Sequence, residues 1–182
     1  MIYLTDSSNI LIEGNTFENT FANSAIQFAT GATGPGVTNS TIQYNTFTSN
    51  PLYGAAVTSG ANDTLQNNLV IDSVLGVEDD ACPSAPIGNI TLKNNMLKVV
   101  HGDCGVTSSP YSGCPPVAFI TGGDYPPSCN YSTDVVTSNY CTGASAQRAT
   151  IANDAPVGGQ AAQYSNDILG PGCLCITDSS NC

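Results

Sequence analysis

The sequence predicts an all-β chain wound into a stack of parallel coils, a β-solenoid. Three observations carry this: an asparagine motif that recurs at coil-length intervals, a second short apolar run after each copy, and the absence of any helical period of useful length. The motif reads apolar-x-x-Asn-x-apolar. It occurs as Ile12-Glu-Gly-Asn15-Thr-Phe17, Ile42-Gln-Tyr-Asn45-Thr-Phe47, Leu65-Gln-Asn-Asn68-Leu-Val70 and Leu92-Lys-Asn-Asn95-Met-Leu97, with a looser copy at Val136-Thr-Ser-Asn139-Tyr-Cys141. The asparagines stand 30, 23, 27 and 44 residues apart. Recurrence at such intervals marks a unit that cannot bury its apolar face alone and must stack on its neighbours.

Taken in order, the first residues Ile2-Tyr-Leu-Thr-Asp6 alternate like the second strand of a coil. After each asparagine comes a β-like run: Ala25–Phe28, Ala55–Thr58, Val74–Val77, Val117–Ile120 and Ala149–Ile151. Gly, Pro, Asn and Asp clusters separate these runs, as turns require. The helix formers Glu, Lys and Arg are scarce. The longest interval holds an insertion, 101–116, with Cys104, Cys114 and three prolines. Residues 1–152 are thus expected to form about five to six coils. Residues 153–182 are expected to form an irregular, Cys-rich cap or strap.

Why asparagine? Strands in adjacent coils lie about 4.8 Å apart. An Asn at the turn tolerates the left-handed conformation, and its amide can bond the equivalent amide above and below. Asn15, Asn45, Asn68, Asn95 and Asn139 are therefore expected to form a ladder at one corner, with the flanking Ile, Leu, Phe and Val pointing inward.

Composition narrows the function. Charged residues are 9% of the chain and the net charge is −11. The three cations, Lys93, Lys98 and Arg148, cannot build the basic patch that nucleic acid or an anionic membrane surface requires. No apolar run approaches the roughly 18 residues of a spanning helix. The chain opens without a basic n-region, so it reads as a mature protein or a fragment of a longer one. Eight cysteines, Cys82, Cys104, Cys114, Cys129, Cys141, Cys173, Cys175 and Cys182, read as disulfides of a secreted, extracellular or cell-surface protein rather than as a zinc site, because paired C-x-x-C units are missing. Cys104 with Cys114, and Cys82 with Cys129, are plausible pairs among roughly 105 connectivities.

A second asparagine column stands six residues before the first: Asn9, Asn39, Asn62 and Asn89. Asn39-Ser-Thr, Asn62-Asp-Thr and Asn89-Ile-Thr are glycosylation sequons, as is Asn130-Tyr-Ser outside the register. The competing reading is a second turn ladder whose neighbours happen to be Ser or Thr. Asn9 favours that reading, since it fills the column without forming a sequon.

These motifs resemble a right-handed parallel β-helix of the pectate-lyase-like superfamily. The resemblance implies a fold that hosts many activities. It also implies a search for clustered carboxylates, calcium and cations near an acidic polysaccharide. Glu78-Asp79-Asp80 and His101-Gly102-Asp103 are the segments that answer to it. Asp79, Asp80 and Asp103 offer oxygen ligands to calcium, the one cofactor candidate. Asp79, Asp80, Asp103 and His101 are the catalytic candidates of a lyase or glycoside hydrolase. The Arg-x-Lys segment of polygalacturonase-like relatives is missing, and Glu78-Asp79-Asp80 also reads as a solvated turn. Tyr44, Tyr53 and Tyr140 are candidates for stacking on sugars in a carbohydrate-binding adhesin module. A flat Thr-x-Thr array of the ice-binding kind does not recur. The expectation is therefore a non-catalytic structural subunit of a secreted assembly or filament, self-associating head to tail and glycosylated. The alternatives are the polysaccharide-active enzyme and the glycan-binding module.

Overall fold

The computed structural model describes residues 1–20, 24–30, 34–50, 53–77, 88–100, 118–121, 132–143, 149–153, 163–171 and 173–175. Among them there is no helix, and every strand pairing is parallel. The first turn carries β1 (Ile2–Thr5), β2 (Leu11–Glu13) and β3 (Thr16–Glu18). The second carries β4 (Ser24–Ala29), β5 (Val37–Thr38), β6 (Thr41–Gln43) and β7 (Thr46–Thr48). The third carries β8 (Tyr53–Val57), β9 (Gly60–Ala61), β10 (Thr64–Gln66) and β11 (Leu69–Ile71). Beyond these three turns come β12 (Leu75–Val77), β13 (Thr91–Lys93), β14 (Met96–Val99), β15 (Ala118–Thr121), β16 (Val135–Thr137) and β17 (Tyr140–Gly143). The last are β18 (Ala149–Asn153), β19 (Gln163–Ser165), β20 (Ile168–Leu169) and β21 (Cys173–Cys175).

Strands one turn apart pair, which generates three long sheets. They run β1-β4-β8-β12-β15-β18-β21, β2-β6-β10-β13-β16-β19 and β3-β7-β11-β14-β17-β20, with a short β5-β9 ribbon at one corner. The second apolar runs all fall in the first sheet, Ile2–Thr5 among them. Each copy of the motif, by contrast, is split at its asparagine between the second and third sheets. The parallel ladders also continue through β19, β20 and β21, inside the segment 153–182 expected to be irregular.

The register turns the sequence repeat into columns of like residues. Ile12, Ile42, Leu65, Leu92 and Val136 stand in line along the second sheet, and Phe17, Phe47, Val70, Leu97 and Cys141 along the third. Most of them are fully buried, and they form one continuous core with Ile26, Phe28, Val57, Leu75 and Val77 from the first sheet. Phe17 and Phe47 stack with ring centroids 5.3 Å apart and planes 12° from parallel, within the range of favourable aromatic pairs.

The asparagine ladder is present, and its geometry corrects one expectation. The left-handed residue is the one before each ladder Asn: Gly14, Tyr44, Asn67, Asn94 and Ser138, with φ between 54° and 70°. The ladder residues themselves do not adopt positive φ. The sharp corner turns each ladder side chain inward, and Asn45, Asn68, Asn95 and Asn139 are buried. The backbone N–H of Asn15, Asn45, Asn68 and Asn95 donates to Oδ1 of the next Asn at 2.9, 3.0, 3.0 and 2.9 Å. Each Nδ2 donates to that same oxygen at 3.0–3.3 Å. From Asn45 onward, Nδ2 also reaches back to a backbone carbonyl of the preceding turn: Ile12, Ile42, Leu65 and Leu92, at 2.9–3.1 Å. One amide thus ties three successive turns.

Replacing Asn68 by Leu would strip the Asn45 N–H of its acceptor and the Ile42 carbonyl of its donor inside the core. We expect a loss of about 1–3 kcal/mol, the desolvation cost of stranded buried polar groups. The exposed Asn15, changed in the same way, should cost less. Denaturant unfolding of the two variants checks both the size and the order.

Candidate functional site

The most regular outward feature is the corner where the second asparagine column turns into the second sheet. Asn9, Asn39, Asn62 and Asn89 all adopt left-handed backbone, with φ of 58°, 54°, 60° and 56°. Asn tolerates this conformation because its short polar side chain bonds locally. All four are exposed. Asn62 Nδ2 donates to Asn39 Oδ1 at 3.2 Å and Asn89 Nδ2 to Asn62 Oδ1 at 3.0 Å. The turn-ladder reading of this column is therefore what the backbone and the side chains form. Asn9 breaks the run, turning its amide to Ser8 Oγ at 3.2 Å. Ahead of β16 Thr133 takes the place, its hydroxyl accepting the Asn89 N–H at 3.0 Å.

Beside this corner two further outward columns complete a polar face. Thr41, Thr64 and Thr91 align along the second sheet, and Glu13, Gln43, Gln66 and Lys93 align two residues further on. Gln66 Nε2 donates to Gln43 Oε1 at 2.6 Å, and Gln43 Nε2 to the Glu13 carboxylate. Tyr44 is 60% exposed at the edge of this face. Tyr140 is half-buried. Tyr53 is not a platform for sugars: its ring lies over Gly76, where an added Cβ would come within 2.4 Å of it, and it is buried.

Directly inside the corner runs a column that the sequence reading missed. Ser40, Asp63 and Asp134 each stand five residues before a ladder Asn and are buried. Ser40 Oγ accepts the Ile10 N–H at 3.0 Å, Asp63 Oδ1 accepts the Ser40 N–H at 2.8 Å, and Asp134 Oδ1 accepts the Ile90 N–H at 2.8 Å. The available signal was a small polar residue at a fixed offset, masked by Ile10 and Ile90, which hold the same place before Asn15 and Asn95. Asp63 is 0% exposed, and its Oδ2 has no hydrogen-bond partner. A Cβ on Gly60 would lie 2.8 Å from that oxygen and 1.9 Å from the Val37 carbonyl, so only glycine lets the chain pass here. Burial pushes the Asp63 carboxyl up to about 7, against the pull of the Ser40 N–H.

Asp167 was also missed. It takes the sixth place in the inner ladder, accepting the Asn139 N–H and Nδ2 at 2.8 Å each. An Asp reproduces the acceptor half of the motif but not the donor half, and its Oδ2 is buried without a partner. Burial raises its pKa, opposed by the bonds from Asn139.

Of the other sequence-derived site residues, Glu78, Asp79, Asp80, His101, Asp103 and Asn130 lie outside the described residues. So do Cys82, Cys104, Cys114, Cys129, Cys182 and the insertion 101–116. Cys173 and Cys175 pair through their backbone in β21, and Cys141 is fully buried in the core. Lys93 and Lys98 sit on the outward sides of β13 and β14, in different sheets. Among the described residues, no group of three or more His, Cys, Asp or Glu could hold a metal ion, and no helix is long and apolar enough to cross a membrane.

Stacked parallel coils with laddered corners define the class: an all-β parallel solenoid. Residues 1–75 match the family described as "Right handed beta helix region", and the parallel winding of that part fits it. No curated protein and no solved structure matches the chain.

The raised Asp63 has a pH signature. Its folded pKa of about 7 exceeds the ordinary 3.8, so the fold holds the proton more tightly than the unfolded chain does. The stability it contributes is present below pH 3.8 and is lost as pH rises toward 7. Melting of the wild type should fall across that window more steeply than melting of Asp63→Asn, which keeps an acceptor for Ser40 and cannot ionise. Parallel curves for the two proteins would refute a buried, protonated Asp63.

Proposed function

We propose that the protein is a non-catalytic structural subunit of a secreted extracellular assembly, stacking head to tail and glycosylated. The observation that supports this most is the direction of the ladder. Along the inner corner every backbone N–H donates to the Oδ1 of the following turn, and every Oδ1 accepts from the preceding one; only the second hydrogen of Nδ2 runs back, to a carbonyl of the turn before. The two faces of such a stack are unlike and complementary, acceptors on one and donors on the other. On the acceptor side, β1, β2 and β3 stand at the edge of all three long sheets. Ile2, Leu4, Ile10 and Phe17 in that layer are only partly buried. A strand edge that its own chain leaves uncovered templates pairing with another chain. Contact between unlike faces that does not close on itself propagates as a fibre.

Five to six coils are the length this reading assigns to the subunit. Oxidised cysteines are its covalent bracing; Cys141, buried in the core, is not a free thiol, which supports that part. A carbohydrate-binding module is the second reading. Its support is Tyr44, exposed beside the Gln43–Gln66 amides, since an aromatic face with flanking amides suits an uncharged sugar.

Light scattering and electron microscopy of the concentrated protein test assembly directly. Leu4→Pro removes the backbone donor of a strand-edge residue. It should shorten or abolish the fibres while the turns beyond β4 keep their β-sheet circular dichroism. A wild type that stays monomeric at high concentration defeats the proposal, and release of new ends from pectin would move the choice to the enzyme.

A further inference from the structure

The three sequons of the outer corner are alike in sequence but not in bonding. Asn62 spends an Nδ2 hydrogen on Asn39 Oδ1, and Asn89 spends one on Asn62 Oδ1. Asn39 stands at the head of this relay: its oxygen accepts, but its Nδ2 donates to no described residue, because Asn9 has turned its own side chain to Ser8. All three side chains are exposed on left-handed turns. Their sequon threonines, Thr41, Thr64 and Thr91, fall in one aligned column.

An N-linked glycan forms its bond at Nδ2, replacing one of the two amide hydrogens, and leaves Oδ1 free to accept. On Asn39 that substitution costs no bond of the column. On Asn62 or Asn89 it leaves a single hydrogen on the nitrogen that holds the neighbouring turn and sets a sugar against that contact. Adjacent corners are also only about 4.8 Å apart, too close for branched sugars side by side. We infer that Asn39 is the glycan-bearing residue of this corner, and that Asn62 and Asn89 serve as unmodified rungs. The inference rests on the reading of a secreted, glycosylated chain. Sugar transfer precedes folding, so the corner acts as a filter: chains modified at Asn62 or Asn89 stack poorly and are held back, and the secreted fraction is enriched in the Asn39 form.

The test is to secrete the full chain from a eukaryotic host and map its sites by enzymatic glycan release in heavy-oxygen water, which leaves each formerly occupied Asn as a labelled Asp. Occupancy of Asn39 should exceed that of Asn62 and Asn89 several-fold. Thr41→Ala destroys the sequon while keeping Asn39 itself, and should remove one glycan from the intact mass. Thr64→Ala and Thr91→Ala should change the mass by the substitution alone, with no glycan lost. Occupancy of Asn62 or Asn89 equal to that of Asn39 overturns the inference. A glycan found on Asn130 alone overturns it while sparing the reading of a glycosylated chain, and a wholly unmodified secreted chain sinks both.

Discussion

The buried side-chain amide is the group on which the other features depend. An amide carries an acceptor and two donors on one short planar unit. That inventory matches the needs of a tight corner whose own backbone hydrogen bonds run between turns rather than within one. Asn68 shows the full set: it accepts from Asn45, donates forward to Asn95 and donates back to the Ile42 carbonyl. No hydroxyl or carboxylate can make all of these bonds. The apolar columns stack in register because the amides fix the height of each turn. The left-handed residue in front of each amide follows from the same demand, since only that backbone aims the next side chain inward.

The repeat made much of this legible in advance. Ile12, Ile42, Leu65 and Leu92 occupy equivalent places in the motif, and that equivalence predicts both the core column and the corner. What escaped was what changes identity while keeping its role. Tyr44 and Ser138 adopt left-handed backbone although neither residue type favours it, because the turns on either side impose the register on them. Asp167 continues the ladder under a different letter. Ser40, Asp63 and Asp134 share an inner column with two isoleucines, so no single residue type announces it. Of the outward face, the column through Asn39, Asn62 and Asn89 was visible as sequons. Its internal bonding was not, because side-chain direction depends on a backbone angle that sequons do not encode.

Acidic side chains inside the stack follow from polar satisfaction at the corners. Where Ser40 meets its own needs with one hydroxyl, accepting from Ile10 and donating to Thr38, Asp63 meets only the acceptor half. The remaining oxygen sits in a space that holds no donor, and retaining a proton is the least costly state there. The stability of this corner is thereby tied to acidity, whereas the neighbouring amide ladder, which has no titratable group before Asp167, is insensitive to it.

The spacing of the inner ladder carries a last consequence. Asn45 and Asn68 are separated by 23 residues and Asn95 and Asn139 by 44, yet the backbone-to-oxygen bonds that join them are 3.0 and 2.9 Å. The chain between two rungs can nearly double without moving either rung. Length variation is absorbed where it arises and is not passed along the stack. Such an architecture separates the part that must stay constant from the part free to vary: new loops can be acquired, lost or exchanged one turn at a time, and the frame that carries them does not have to be re-solved.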